Sequence, residues 1–285
     1  MEALAWLQSM LGHEFIRDAF VAGTGVALAS GVAGYFLLLR GQVFAVDALS
    51  HVAFTGALAA LAAGVSELVG LLAATILVAV VLSLLATEAR ARDVVTGSLF
   101  AWVLGLGVLF QSVYVTTRST GNGAAGVHVL FGSVFGIGPP QTVITVVVGI
   151  AMALAVLLLA RPLLFATIEA GAAAADGVPV RALGTAFLVL VAVITAEAVQ
   201  VVGALLILGL IATPAAIAQR LTARPYRAMA TSAGVAILAV WVGLGISYAV
   251  PVMPPSFAII GLLFGTYVAL VAAPRLRRLR PEMHE

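Results

Sequence analysis

The chain alternates long apolar runs with short polar breaks. Apolar runs near 20 residues fall at roughly 19–39, 44–63, 67–87, 94–115, 140–160, 184–201, 203–219, 229–250 and 254–273. About 20 such residues make a helix as long as the hydrocarbon core of a bilayer is thick. The pattern therefore predicts an all-α, polytopic membrane protein with eight to nine transmembrane helices. The uncertain stretch is 184–219, where Glu197 and Gln200 interrupt the apolar run. Two short or broken helices fit it, and so does one span followed by a half-helix. The expectation is one transmembrane domain over residues 1–285, with no internal repeat of 20–50 residues.

Three segments depart from plain spans. The loop at about 116–139 is polar and Gly-rich at first. It then turns apolar over His128–Gly136, too short to cross, and ends at Pro139-Pro140. A re-entrant or interfacial helix fits there. The loop at about 161–184 holds an Ala-rich run from Glu169 to Asp176, followed by Gly177 and Pro179. Alanine favours a short helix, and Gly with Pro ends it. In 203–219, Thr213-Pro214 predicts a break or kink with freed carbonyls.

Composition strengthens this reading. Hydrophobic residues make up 63% of the chain and charged residues 9%, against about 25% charged in soluble domains. All 14 basic residues are arginine. Twelve of them form five clusters, each neighbouring pair separated by two apolar runs: Arg40; Arg90 and Arg92; Arg161 and Arg181; Arg220, Arg224 and Arg227; and Arg275, Arg277, Arg278 and Arg280, while Arg118 falls in the loop at about 116–139. The positive-inside rule puts all five in the cytoplasm, with the N-terminus outside and the C-terminus inside. Met1 to Phe20 carries Glu2, Glu14 and Asp18 with no basic stretch before an apolar core, which is not the pattern of a secretory leader.

Composition also excludes chemistry. A net charge of +2 argues against nucleic-acid binding. Without lysine the chain cannot form the Lys-dependent phosphate loop of an ATPase. Without cysteine it has no disulfides, thiolate metal sites or thiol catalysis. No hydrolase or zinc-protease motif appears, so no enzyme is expected.

Asp47 and His51 are the sharpest candidates. They stand four apart in an apolar run, on one face of a helix. A carboxylate at that depth costs a few kcal/mol and is kept for a partner, an ion or water. Carboxylate with imidazole suits Mn²⁺, Fe²⁺ or Zn²⁺; a helix cap at Asp47 and a helix–helix hydrogen bond at His51 would explain the same spacing. Glu197 and Gln200, three apart in a span, read as pathway groups or as a hydrogen-bonding device between helices. His128 reads as an outer ligand or an interfacial loop residue. Gly23, Gly25, Gly31 and Gly34 read as close helix packing.

Several stretches in the same order are similar to one family. They are Leu37 to Arg40 followed by Phe44 to Ala53; Leu130-Phe131-Gly132-Ser133; Arg161-Pro162 followed by Glu169 to Pro179; Gln200 to Leu206 running on to Thr213-Pro214-Ala215-Ala216; and Met253 to Ser256. Together they resemble the permease subunit of bacterial ABC importers for manganese, zinc and iron. The resemblance implies a homodimer in the bacterial plasma membrane, two cytoplasmic ATPase subunits, and an extracytoplasmic metal-binding protein. It implies that 165–180 is the coupling helix that meets the ATPase, with Glu169, Asp176, Gly177 and Pro179 in that contact. It places Asp47 and His51 on the metal path, with Mn²⁺ or Zn²⁺ as cargo and no permanently bound cofactor. Glu197, Gln200 and His128 would be additional pathway groups. The alternatives are a proton-coupled secondary metal transporter and a permease of the siderophore or cobalamin importers.

Overall fold

A computed structural model describes residues 10, 12–85, 89–117 and 124–278. Those residues form α1 (Glu14–Leu39), α2 (Val43–Ala63), α3 (Glu67–Leu85), α4 (Ala89–Thr117), α5 (Ala124–Phe131), α6 (Pro139–Ile168), α7 (Ala170–Ala175), α8 (Val180–Val202), α9 (Ile207–Leu221), α10 (Pro225–Ala249) and α11 (Pro255–Arg278), with a 3₁₀ turn at Val134–Gly136. The described residues contain helices and no strands. Lipid offers the backbone no hydrogen-bond partner, so a spanning segment must satisfy its own amides, as a helix does.

Eight of these helices are long and apolar enough to cross a bilayer. The chain is a multi-pass helical membrane protein. The expected ninth span at 203–219 is instead the 15-residue α9, about 22 Å long at 1.5 Å per residue. The break lies at Gly203–Leu206, before α9, and not at Thr213-Pro214. Pro214 sits inside α9. A second correction concerns the loop at 161–184. Helix α6 runs on through Arg161 and Pro162 to Ile168, so the connecting segment is short and holds α7.

Helix ends follow local chemistry. The α2 C-cap is Gly64 at φ +79°, and the Val65 N–H reaches back to the Ala60 carbonyl at 2.8 Å. That is the left-handed glycine ending of a helix. Helices α6, α10 and α11 each start on proline, which suits a first turn that needs no N–H.

The centre of the bundle is α1, α2 and α8, the three spans with most of their length buried. Helix α1 packs against α6, α8, α9 and α10, while α8 packs against α2, α3 and α6. Small residues set the separations. A Cβ on Gly31 would meet Ala233 Cα at 2.5 Å, and one on Gly25 would meet Val146 Cα at 3.0 Å. The glycine series in α1 thus lets neighbouring backbones touch. Gly56 and Gly70 do the same between α2 and α3. The outer helices turn large apolar side chains outward, including Leu77, Trp102, Leu158 and Phe264. In water that surface would be costly; against lipid tails it is a matched solvent.

Candidate functional site

Helix α2 is buried on most of its circumference. The positions that stay open in its first half are Phe44, Asp47, His51 and Phe54. Their spacing of three or four makes one stripe. Asp47 and His51 are therefore neighbours on a partly open face of an otherwise enclosed helix, a face that α4 covers in part at His51 and Phe54. They lie about 6 Å and 12 Å along the axis from Val43. The Ser50 hydroxyl donates to the Asp47 backbone carbonyl at 2.7 Å, leaving the Asp47 carboxylate out of that bond. The His51 ring stands edge-on to Phe100 of α4, with centroids 4.9 Å apart and planes at 86°. Its Nδ1 is buried and has no hydrogen-bond partner. Such an atom costs about 1–3 kcal/mol if nothing ever meets it. Carboxylate oxygen and an orphaned imidazole nitrogen are together half of a four-donor set for a borderline divalent metal. Among the described residues, no group of three or more His, Asp or Glu side chains could hold an ion.

Glu197 and Gln200 lie elsewhere, against α6. Glu197 is 3% exposed, and its Oε2 accepts from Thr145 Oγ1 at 3.1 Å. Its Oε1 is buried without a partner. Gln141 Nε2 donates to Gln200 Oε1, and the Gln200 carbonyl accepts from the Ser133 N–H at 3.3 Å. These bonds tie α8 to α6 and to the segment after α5. Gln141 and Thr145 were missed in the sequence. The available signal was a polar pair four apart just inside a span. Glu197→Gln should leave the thermal unfolding midpoint nearly unchanged, because an amide oxygen accepts from Thr145 as well. Glu197→Ala should cost about 1–3 kcal/mol by stranding Thr145, read as a fall in that midpoint. His128 lies in α5, and its side chain is outside the described residues.

The segment that holds α5 and the break after α8 form one crossing. The N–H groups of Ala204 and Leu205 donate to the carbonyls of Val129 and Leu130 at 3.1 and 3.2 Å. Ser256 Oγ donates to the Phe131 carbonyl at 2.9 Å. Gly132 and Gly203 meet at the centre, at φ +74° and +94°. Irregular backbone buried in a membrane protein is tolerated where it finds partners of this kind. The short helix expected in the second half of the loop is thus present as α5, held against the broken helix.

On the opposite side, Glu169 precedes α7 and Asp176 follows it. Gly177 has φ +84°, and Val178 N–H returns to the Ala173 carbonyl at 2.9 Å. Pro179 is the N-cap of α8. Ala173 is fully buried while the neighbouring positions of α7 are exposed. The segment is a small ledge anchored at one methyl, in contact with both α6 and α8.

The fold has a close counterpart in the solved structure of PsaBC from Streptococcus pneumoniae in complex with Fab. The TM-score is 0.82 over 95% of each chain, at 23% identity. In sequence, the chain is 29% identical over 220 residues to the manganese transport system membrane protein MntC of Halalkalibacterium halodurans, covering 77% of this chain and 74% of that one. It is 25% identical to the manganese import system permease protein ScaB of Streptococcus parasanguinis over 96% of each chain. Residues 12–273 match the ABC 3 transport family, and the chain belongs to that family.

Proposed function

We propose that the whole chain is one permease domain of an ATP-driven importer that carries a divalent transition metal, Mn²⁺ in the first place, into the cytoplasm. The observation that carries this reading is the partly open stripe of α2, where Asp47 and His51 present two metal donors and no other described His, Asp or Glu joins them in a group of three. A second copy of the chain placed over that stripe supplies the other Asp and His. Two copies then make a four-donor site of mixed oxygen and nitrogen, which suits Mn²⁺ or Zn²⁺ over Ca²⁺ or Mg²⁺. The curated relatives named above are manganese transport proteins, which favours manganese among these metals.

The remaining parts fit the same scheme. An extracytoplasmic binding protein delivers the metal, the four donors replace its water, and two ATPase subunits on the cytoplasmic side drive release. The ledge at Glu169–Pro179 is the contact with the ATPase, and its anchorage between α6 and α8 carries motion to both. The arginine clusters favour a cytoplasmic position for this ledge and the C-terminus. Arg17, at the other end of α1, lies 3.9 Å from Glu14, so that end carries little net positive charge. Helix α9 brings the chain back across despite its length, because the Gly203–Leu206 segment covers the remaining depth.

The test is uptake into proteoliposomes by the purified permease, with and without its ATPase and ATP, offering Mn²⁺, Zn²⁺ and Fe²⁺ in competition. Uptake that needs ATP and the ATPase supports the proposal; uptake driven by a proton gradient alone overturns it. A proline inserted within 170–175 should leave ATP hydrolysis running while uptake falls about tenfold or more, since proline breaks a helix interior. Stimulated hydrolysis that stays coupled to uptake would remove α7 from the coupling role.

A further inference from the structure

At the end of the bundle that carries the ledge, a half-open cavity of about 580 Å³ lies between α1, α2, α3, α4, α6 and α8. Of the described residues lining it, two are arginines, Arg40 and Arg181, and none is acidic. Arg40 is fixed from three sides. Its Nη1 donates to Thr167 Oγ1 at 3.1 Å and its Nε to Gln42 Oε1 at 3.2 Å. Its guanidinium carbon lies 5.8 Å from the centre of the Phe187 ring. Gly184 leaves room for it, since a Cβ there would sit 3.3 Å from Nη2. Arg181 is exposed on the first turn of α8, where the helix dipole adds positive potential. Ser83, Thr96 and Thr185 also line the cavity, the Ser83 and Thr185 hydroxyls bonded to each other.

The rim has a different character. Leu39 and Leu84 line the same cavity and are 39% and 68% exposed. The site thus has a cationic, hydroxyl-rich floor and an apolar edge at the membrane boundary. A guanidinium with neighbouring hydroxyls matches phosphate oxygens. An apolar rim matches acyl chains. A basic pocket between spans on the cytoplasmic side is where acidic headgroups bind. The same two arginines make the cavity a poor exit for a divalent cation.

We propose that this cavity binds the phosphate headgroup of an anionic phospholipid from the cytoplasmic leaflet, between the α1–α2 turn and the segment that holds α7. Its leaflet rests on the orientation proposed above; its chemistry does not. A lipid seated there touches Arg40 on one side and the first turn of α8 on the other, and so braces the ledge against the bundle.

The test is native mass spectrometry of the purified full chain in detergent, which needs neither ATPase nor transport. Phosphatidylglycerol and phosphatidylcholine of identical acyl chains are offered in equal amounts, with inorganic phosphate in a separate arm. Wild type should retain phosphatidylglycerol preferentially. Arg181→Gln should lower that retention about five-fold, the effect of one arginine near an acidic headgroup, without changing retention of phosphatidylcholine. Arg224→Gln, at an exposed arginine outside the cavity, should behave as wild type. Arg181 is exposed, so the fold does not depend on it; Arg40→Gln tests the deeper contact. Equal retention of the two lipids, or an Arg181→Gln variant indistinguishable from wild type, overturns the proposal. Inorganic phosphate bound in place of phosphatidylglycerol overturns the lipid and assigns the cavity to a free anion.

Discussion

Replacing Asp47 or His51 by alanine should lower ATP-dependent Mn²⁺ uptake by about 100-fold or more, with the protein still folded in the membrane. Groups that merely support a metal ligand already cost 10- to 100-fold when removed, and these two are proposed as ligands themselves. In a two-fold arrangement each substitution deletes two donors of four, which leaves a pair that holds a borderline metal poorly. The fold should survive because Asp47 and His51 are both only half-buried. His51→Ala also removes a buried unpartnered nitrogen, which offsets part of the lost contact with Phe100. The measurement is radiometal uptake in proteoliposomes beside the unfolding midpoint of each variant. Normal uptake in either variant would remove the site, and a collapsed midpoint would move the residue from transport to structure. Glu197→Gln is the matched comparison, since that carboxyl accepts from Thr145 of α6 and its amide counterpart keeps that bond.

The second large effect is on folding. Gly203→Val should lower the unfolding midpoint by roughly 10 °C or more, at a few degrees per kcal/mol for a chain of this size. Two costs add. At φ +94° a β-branched residue is strained by about 1–3 kcal/mol. Its Cβ would also overlap the Leu130 carbonyl and the Gly132 N–H group of the facing segment. Overpacking of that kind costs about 1–3 kcal/mol more. Those atoms belong to backbone, so no rotamer change relieves the clash. Gly132→Val, facing the Val201 carbonyl at 2.6 Å, should behave alike. Gly234, with open space around its Cβ position, should tolerate alanine; an equal loss there would mean that glycine content, and not the crossing, sets stability.

The long spans were legible because lipid imposes one simple demand on the sequence. Every residue from Leu68 to Leu85 and most from Pro139 to Ile168 must be compatible with hydrocarbon, and an apolar run records that directly. Helix α7 was legible for a similar reason: alanines between Glu169 and Asp176 have no other use. The pair at Asp47 and His51 was visible as a spacing, but its openness was not, because that depends on which neighbours cover α2. The break was placed wrongly for a physical reason. Thr213-Pro214 carries the local signal, yet Pro214 fits within α9, a helix already short. The true break at Gly203–Leu206 depends on carbonyls of Val129 and Leu130, far away in sequence, which no local reading contains. Gln141 and Thr145 escaped for the same reason: their partners are on α8.

The order of synthesis gives the crossing a further consequence. Helix α9 is too short to be taken into the bilayer on its own hydrophobicity, and the segment before it carries amides that lipid cannot satisfy. Their acceptors on Val129 and Leu130 are made earlier in the chain and are in place when residues 204 and 205 emerge. The bonds at 204 and 205 therefore predict that insertion of the segment before α9 depends on α5 being in place first. A nascent chain ending just after α9, fused to a topology reporter, should orient correctly only when the α5 segment is intact. A defect in α5 should then show itself as a misdirected C-terminal half, at a distance of 75 residues along the chain from Val129 and Leu130 to Ala204 and Leu205.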